Sequence, residues 1–180
     1  GILSTEGSSM IKYVFRDGPL ILRGKGSKET KADPQKIGEA LAEIEARDGE
    51  LSASSVVDTA RDKANVLHRH FEWNDLDVAE LYRLEQARDL IQLISKVDDD
   101  GKKQQAYCSV SIAGEGRSYH SVNVIKSSIE LQKAVLKQAE NDLAAFQRRY
   151  RQLSDICAMV KPAHDAVKVK RQKLETGVPA

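Results

Sequence analysis

Residues 66–75, VLHRHFEWND, place His68, His70, Glu72 and Asp75 close together. Imidazoles and carboxylates are the donors of a transition-metal site and the groups of general acid–base chemistry. The spacing argues for neither. A His-x-His pair points both rings one way on a strand, but on a helix the rings diverge by about 200°, and the period around this stretch is helical. A metal would need a third ligand, such as His120 or Cys108, from a distant hairpin. Nothing in the sequence requires that convergence. Phe71 and Trp73 have the character of anchors, so the stretch is expected to be a structural joint between helices, with no metal.

The remaining chain carries no GxSxG, P-loop, dinucleotide fingerprint, HExxH or Cys/His dyad. No enzymatic activity, catalytic residue or cofactor is therefore expected. Asp98-Asp99-Asp100-Gly101 reads as a solvated turn, and Gly114-Glu115-Gly116 as a hairpin loop rather than a phosphate cradle. Cys108 and Cys157 show no CxxC spacing and read as free thiols of a reducing cytosol.

The elements that must position these residues follow from local signals. Asp17-Gly18 between two apolar runs predicts a hairpin with Phe15 opposite Leu20 and Tyr13 opposite Leu22. Asp33-Pro34 begins a helix with the stripe Ile37, Leu41, Ile44, which Asp48-Gly49 ends. Ser52 caps a short helix carrying Val56, Val57 and Ala60; a turn over Arg61–Asn65 and a further short helix over Val66–Phe71 follow. A longer helix, capped by Asn74 or Asp75, is expected to run to about Ser95 with the stripe Val78, Leu81, Leu84, Ala87, Ile91, Ile94. From Gln104 to Ile125 the period becomes two. This predicts a hairpin with Cys108 opposite Val122 and Val110 opposite His120.

A three–four alternation then runs Leu136, Ala139, Leu143, Phe146, Tyr150, Leu153, Cys157, Val160, His164, Val167, Arg171, Leu174. It predicts one long heptad-patterned helix, capped at Ser127 or Ser128 and kinked or restarted at Pro162. Leu136, Leu143, Phe146, Tyr150, Leu153 and Val160 are its expected interface with another copy of the chain.

Composition bounds what such elements can do. Of the 180 residues 41% are hydrophobic and 31% charged, and no apolar run approaches a membrane span. A soluble protein without a membrane partner is expected. Net charge is +1, yet 48–101 carries six basic and thirteen acidic residues, whereas 148–180 carries eight basic and three acidic. Ser52–Trp73 has helix-turn-helix proportions that would present Asn65, His68 and Arg69 to a major groove. Its turn lacks glycine, and its acidic surroundings oppose phosphate. Nucleic-acid contacts are instead expected from Arg23, Lys25, Lys28 and Lys31 and from Arg148, Arg149, Arg151, Lys168, Lys170, Arg171 and Lys173.

KADPQKIGEAL, VVDTARDKANVLHRHFEWNDLDVAELYRLEQARDLI and LQKAVLKQAENDLAAFQRRYRQLSDIC resemble a group of uncharacterised bacteriophage and prophage proteins, over about residues 31–157. Lys63 departs from that group, where a proline would stand. The resemblance implies a mobile-element setting in the cytoplasm of a bacterial host. It transfers no activity and no site residue.

The fold expected is α+β and mostly helical. Residues 1–9 read as a cloning scar before Met10, 10–101 as a hairpin with a small helix-turn-helix-like domain, 102–125 as a second hairpin, and 126–175 as the long helix. The expected function is that of a non-enzymatic, self-associating phage-type accessory protein on DNA, a regulator or a DNA-processing adaptor. The rival expectation is a scaffold or host-factor modulator that binds a phage or host protein and no nucleic acid.

Overall fold

The first helix starts where Asp33-Pro34 places it. In the computed structural model, which describes residues 10–17, 33–73, 79–112, 114 and 116–177, α1 spans Pro34–Asp48. The Asp33 side chain accepts from Gln35 N–H, and Gly49 closes the helix at φ 80°. That left-handed φ costs glycine nothing. Ile37, Leu41 and Ile44 are buried as the stripe predicts. The capping box of Ser52 and Ser55 starts α2, Ala53–Ala60, which buries Val56, Val57 and Ala60.

The fold is α+β and mostly helical, in two units, Gly1–Tyr107 and Cys108–Ala180. The second unit takes in the hairpin from Cys108 onward together with the C-terminal helices.

In the first unit β1 (Lys12–Phe15), β2 (Ile94–Val97) and β3 (Lys103–Gln105) form an antiparallel sheet in that order. The return strand expected after Asp17-Gly18, with Leu20 and Leu22, lies outside the described residues. Among those described, β1 pairs with β2, Tyr13 opposite Lys96 and Phe15 opposite Ile94. The Gln35 side chain ties this strand to α1, accepting from Tyr13 N–H at 2.9 Å and donating to Ile11 O at 2.8 Å. The Asp98–Gly101 turn joins β2 to β3, with Asp98 accepting from Lys102 N–H.

The third helix departs from expectation in its end and its face. α3 covers Ala79–Leu93, and Ile94–Val97 is the central strand rather than the last helical turn. β1 and β3 flank this segment, and Arg16 and Ala106 N–H bond to Leu93 O and Ile94 O. Long-range pairing therefore outweighs one more turn of helix. The buried face carries Arg83, Gln86, Ala87, Leu90 and Ile91, while Leu81 is 68% exposed.

In the second unit β4 (Tyr107–Ile112) and β5 (Gly116–Ser121) form the expected hairpin, although β5 begins inside the predicted loop. Val122 and Val124, expected on the return strand, lie instead on α4, Val122–Ser127. Ser128 caps α5, Ile129–Arg149, by accepting from Leu131 N–H. Val110, Ile125 and Leu131 form the core here, with Cys108, Ile112, Val124, Ala134 and Val135 against them.

The heptad stretch is two helices, not one. The chain turns over residues 150–153 and continues as the long C-terminal helix α6, Ser154–Thr176, which folds back on α5. The Cys157 thiol donates to Tyr150 O at 3.3 Å and clips the turn. Pro162 lies within α6 and starts no new helix.

Candidate nucleic-acid interface

The opening histidines occupy a joint built around Trp73. After α2 the chain turns through Arg61–Leu67 and makes a single 3-10 turn at His68–His70, so the second helix of the expected helix-turn-helix is three residues long. Asn65 and His68, two of its candidate groove contacts, are engaged within the chain. Asn65 Oδ1 accepts from Leu67 N–H at 2.9 Å, and His68 Nδ1 lies 2.8 Å from Ala60 O. The His68 ring stacks on Trp73 at 4.8 Å and 7°. Trp73 Nε1–H donates to His68 O at 2.8 Å, and the guanidinium groups of Arg83 and Arg61 lie 5.4 and 6.0 Å from the indole centroid.

Arg83 and Gln86 complete the joint from α3. Arg83 Nη1 donates to Glu72 O, and Gln86 Oε1 accepts from Glu72 N–H. Both are polar, so the apolar stripe of α3 does not mark them as joint residues. The available signal was their spacing with Ala87 and Leu90 on one helical face. His70 turns inward: it is buried, and neither ring nitrogen has a protein partner among the described residues. Burial, with a smaller contribution from the Arg69 cation, pushes its pKa down to about 4.

The basic residues divide three ways. Arg23, Lys25, Lys28 and Lys31 lie outside the described residues. Arg171 is committed to the α5–α6 seam, donating from Nε to Glu140 at 2.7 Å and from Nη1 to Glu175 at 2.6 Å. This pair holds the Glu140 carboxyl below the usual carboxylate range. Arg148, Arg149 and Arg151 are exposed around the turn between α5 and α6, and Lys168, Lys170 and Lys173 are exposed along α6. None of these six has an ion-pair partner among the described residues.

The expected interface residues of the heptad seam have a partner within the chain. Leu136, Leu143, Tyr150, Cys157, Val160, His164, Val167, Arg171 and Leu174 are all half-buried, the pattern left when α5 and α6 cover one another. Phe146 touches Tyr150 at 4.6 Å between centroids but stays 37% exposed, and Leu153 is 51% exposed. Ile156 and Met159, at 37% and 79%, extend this apolar patch on the turn end of the hairpin.

A second feature of the same unit is a groove of about 720 Å³ lined by β4, β5, α5 and α6. Arg117, Lys133, Lys137 and Arg171 line it with Glu130 and Glu175. Sequence reasoning missed it because its residues are scattered over four elements. Among the described residues there is no group of three or more metal-ligating side chains, and no helix is long and apolar enough to cross a membrane. In comparisons with known proteins, no family model, curated protein or solved structure matches this chain.

Proposed function

We propose that this is a non-enzymatic DNA-associating accessory protein, a regulator or DNA-processing adaptor, which meets DNA through the α5–α6 hairpin. One observation carries the reading: Arg148, Arg149, Arg151, Lys168, Lys170 and Lys173 are exposed and free of carboxylate partners among the described residues. Cations that neutralise no carboxylate of their own chain are available to phosphates, and phosphate neutralisation supplies most sequence-independent affinity. The unit from Cys108 onward holds twelve basic and seven acidic residues, against a whole-chain balance of +1. The phage-type resemblance of residues 31–157 supports a mobile-element setting in a bacterial cytoplasm. Base readout has no support from the joint, whose 3-10 turn is too short to lie along a groove.

A protein scaffold is the second reading, and the exposed Leu153, Ile156 and Met159 favour it, since a patch of this kind invites a second copy or another protein. A salt titration of binding to generic duplex and single-stranded DNA separates the two. DNA association predicts affinity that falls steeply with salt on every sequence; a scaffold predicts no binding even at low salt.

A further inference from the structure

We infer that the groove of the second unit binds an extended acidic peptide segment of a partner protein. The inference is independent of the DNA reading, because it rests on Arg117 and Lys137, neither of which is among the six free cations. The floor of the groove is one face of α5: Glu130, Lys133, Ala134, Lys137, Gln138 and Asn141 stand at i, i+3, i+4, i+7, i+8 and i+11. Leu131 and Val135 of the same helix pack toward the β4–β5 and α4 core, with Ala134 at the edge between core and groove, and Leu136, Ala139 and Leu143 belong to the heptad seam with α6. The floor is therefore a third face of α5. From Glu130 to Asn141 it extends about 16 Å at 1.5 Å per residue, the length of about five residues of extended chain.

The chemistry of the lining selects the occupant. Arg117 has no ion pair among the described residues. Lys137 reaches Glu140 only at 4.0 Å, and that carboxylate already takes the Arg171 guanidinium at 2.7 Å. Two cations are thus open to a ligand carboxylate, within a groove of about 720 Å³. Gln138 and Asn141, one turn apart, make no side-chain hydrogen bond among the described residues, so each offers a donor and an acceptor to a peptide main chain. Nucleic acid fits less well. The lining has no aromatic side chain on which a base could stack, and Glu130 and Glu175 would face the phosphates. Those carboxylates suit a peptide that also carries an occasional basic residue or a free amino terminus.

The test uses the full chain and two fluorescent probes, a short peptide of alternating glutamate and alanine and a thymidine oligonucleotide of equal charge. Anisotropy at low salt is expected to show saturable peptide binding. Arg117→Glu with Lys137→Glu should weaken it about tenfold or more, whereas Arg148→Ala with Arg149→Ala should leave it unchanged and weaken the oligonucleotide instead. Circular dichroism of each variant matching the parent establishes that surface charge alone was altered. Absence of saturable peptide binding overturns the inference. So does peptide binding indifferent to Arg117 and Lys137, or an oligonucleotide that displaces the peptide and loses its own affinity with the same substitutions.

Discussion

Arg171 donates to Glu140 at 2.7 Å across 31 residues of chain, and this pair fills the heptad position where an apolar side chain would otherwise sit. The side chains are 14% and 12% exposed, so the pair belongs to the seam rather than to the solvated surface. It also fixes register, because an Arg facing Glu at one level disfavours a slipped pairing of α5 and α6.

Arg171→Leu alone is expected to lower the thermal midpoint of the second unit by several degrees, since it leaves Glu140 in the seam with only Lys137 at 4.0 Å. Adding Glu140→Leu should restore most of the loss by making that level apolar. A double-mutant cycle read by thermal denaturation checks this; strictly additive losses would show that the pair is not coupled. The pH sign follows from the lowered Glu140 pKa. The contribution is present above the ordinary carboxylate range and disappears as pH falls through the depressed value.

Gly38 gives a prediction opposite to helix propensity. A Cβ at this position of α1 would lie 2.1 Å from Cγ of the buried Tyr13 ring. Alanine normally favours a helix over glycine by about 1 kcal/mol. Here Gly38→Ala should cost about 2–3 kcal/mol, because ring or helix must move within a packed interior. Chemical denaturation of the two proteins decides; a stabilised variant would mean that Tyr13 does not lie on α1.

His70 makes stability depend on mildly acidic pH. Unfolded, it takes a proton near 6.5; folded, only near 4. The contribution is therefore intact above about 6.5 and declines by up to about 1.4 kcal/mol per pH unit as pH falls towards about 4. His70→Leu removes a ring with no hydrogen-bond partner among the described residues. It should flatten this part of the pH profile with little loss at neutral pH. Melting curves at about pH 7 and about pH 5 give the comparison, and an equal decline in both proteins would refute the assignment.

Trp73→Ala should destabilise the first unit by about 2 kcal/mol, less than the roughly 3–5 kcal/mol of a fully buried aromatic, because the indole is half-buried between His68, Arg61 and Arg83. Treatment with a chelator should leave the melting temperature unchanged. A chelator-sensitive transition, or stoichiometric metal in elemental analysis, would contradict the structural role of the histidines.

The sequence was most legible where one residue type does one local job. Asp33 with Pro34, the Ser52 cap, the Ser128 cap and Gly49 each satisfy or terminate a helix end, and each is found in that role. It was least legible where distant chain decides. Ile94 and Val97 fit a helical stripe as well as a strand, and only the flanking β1 and β3 settle which forms. A heptad states that a seam is covered, not what covers it. Tyr150 and Leu153 keep the three–four spacing through a turn without glycine or proline. Only Arg148-Arg149 at the end of α5 and Ser154-Asp155 at the start of α6 marked the break. Of the site, the free cations could be listed from sequence. Removing Arg171 from that list required its partner on α5, and the groove required four elements to be brought together.

The most direct measurement is the salt dependence of binding to generic duplex DNA by the parent chain and by a variant with Arg148→Ala, Arg149→Ala and Arg151→Ala. Each phosphate contact contributes about 0.9 to the slope of log Kobs against log salt concentration. The parent should bind all sequences with a steep slope, and the variant should bind them more weakly with a slope flatter by about 2–3. An unchanged slope in the variant, or a parent that binds no DNA at low salt, would contradict the account and leave the exposed apolar turn of the hairpin as a surface for protein alone.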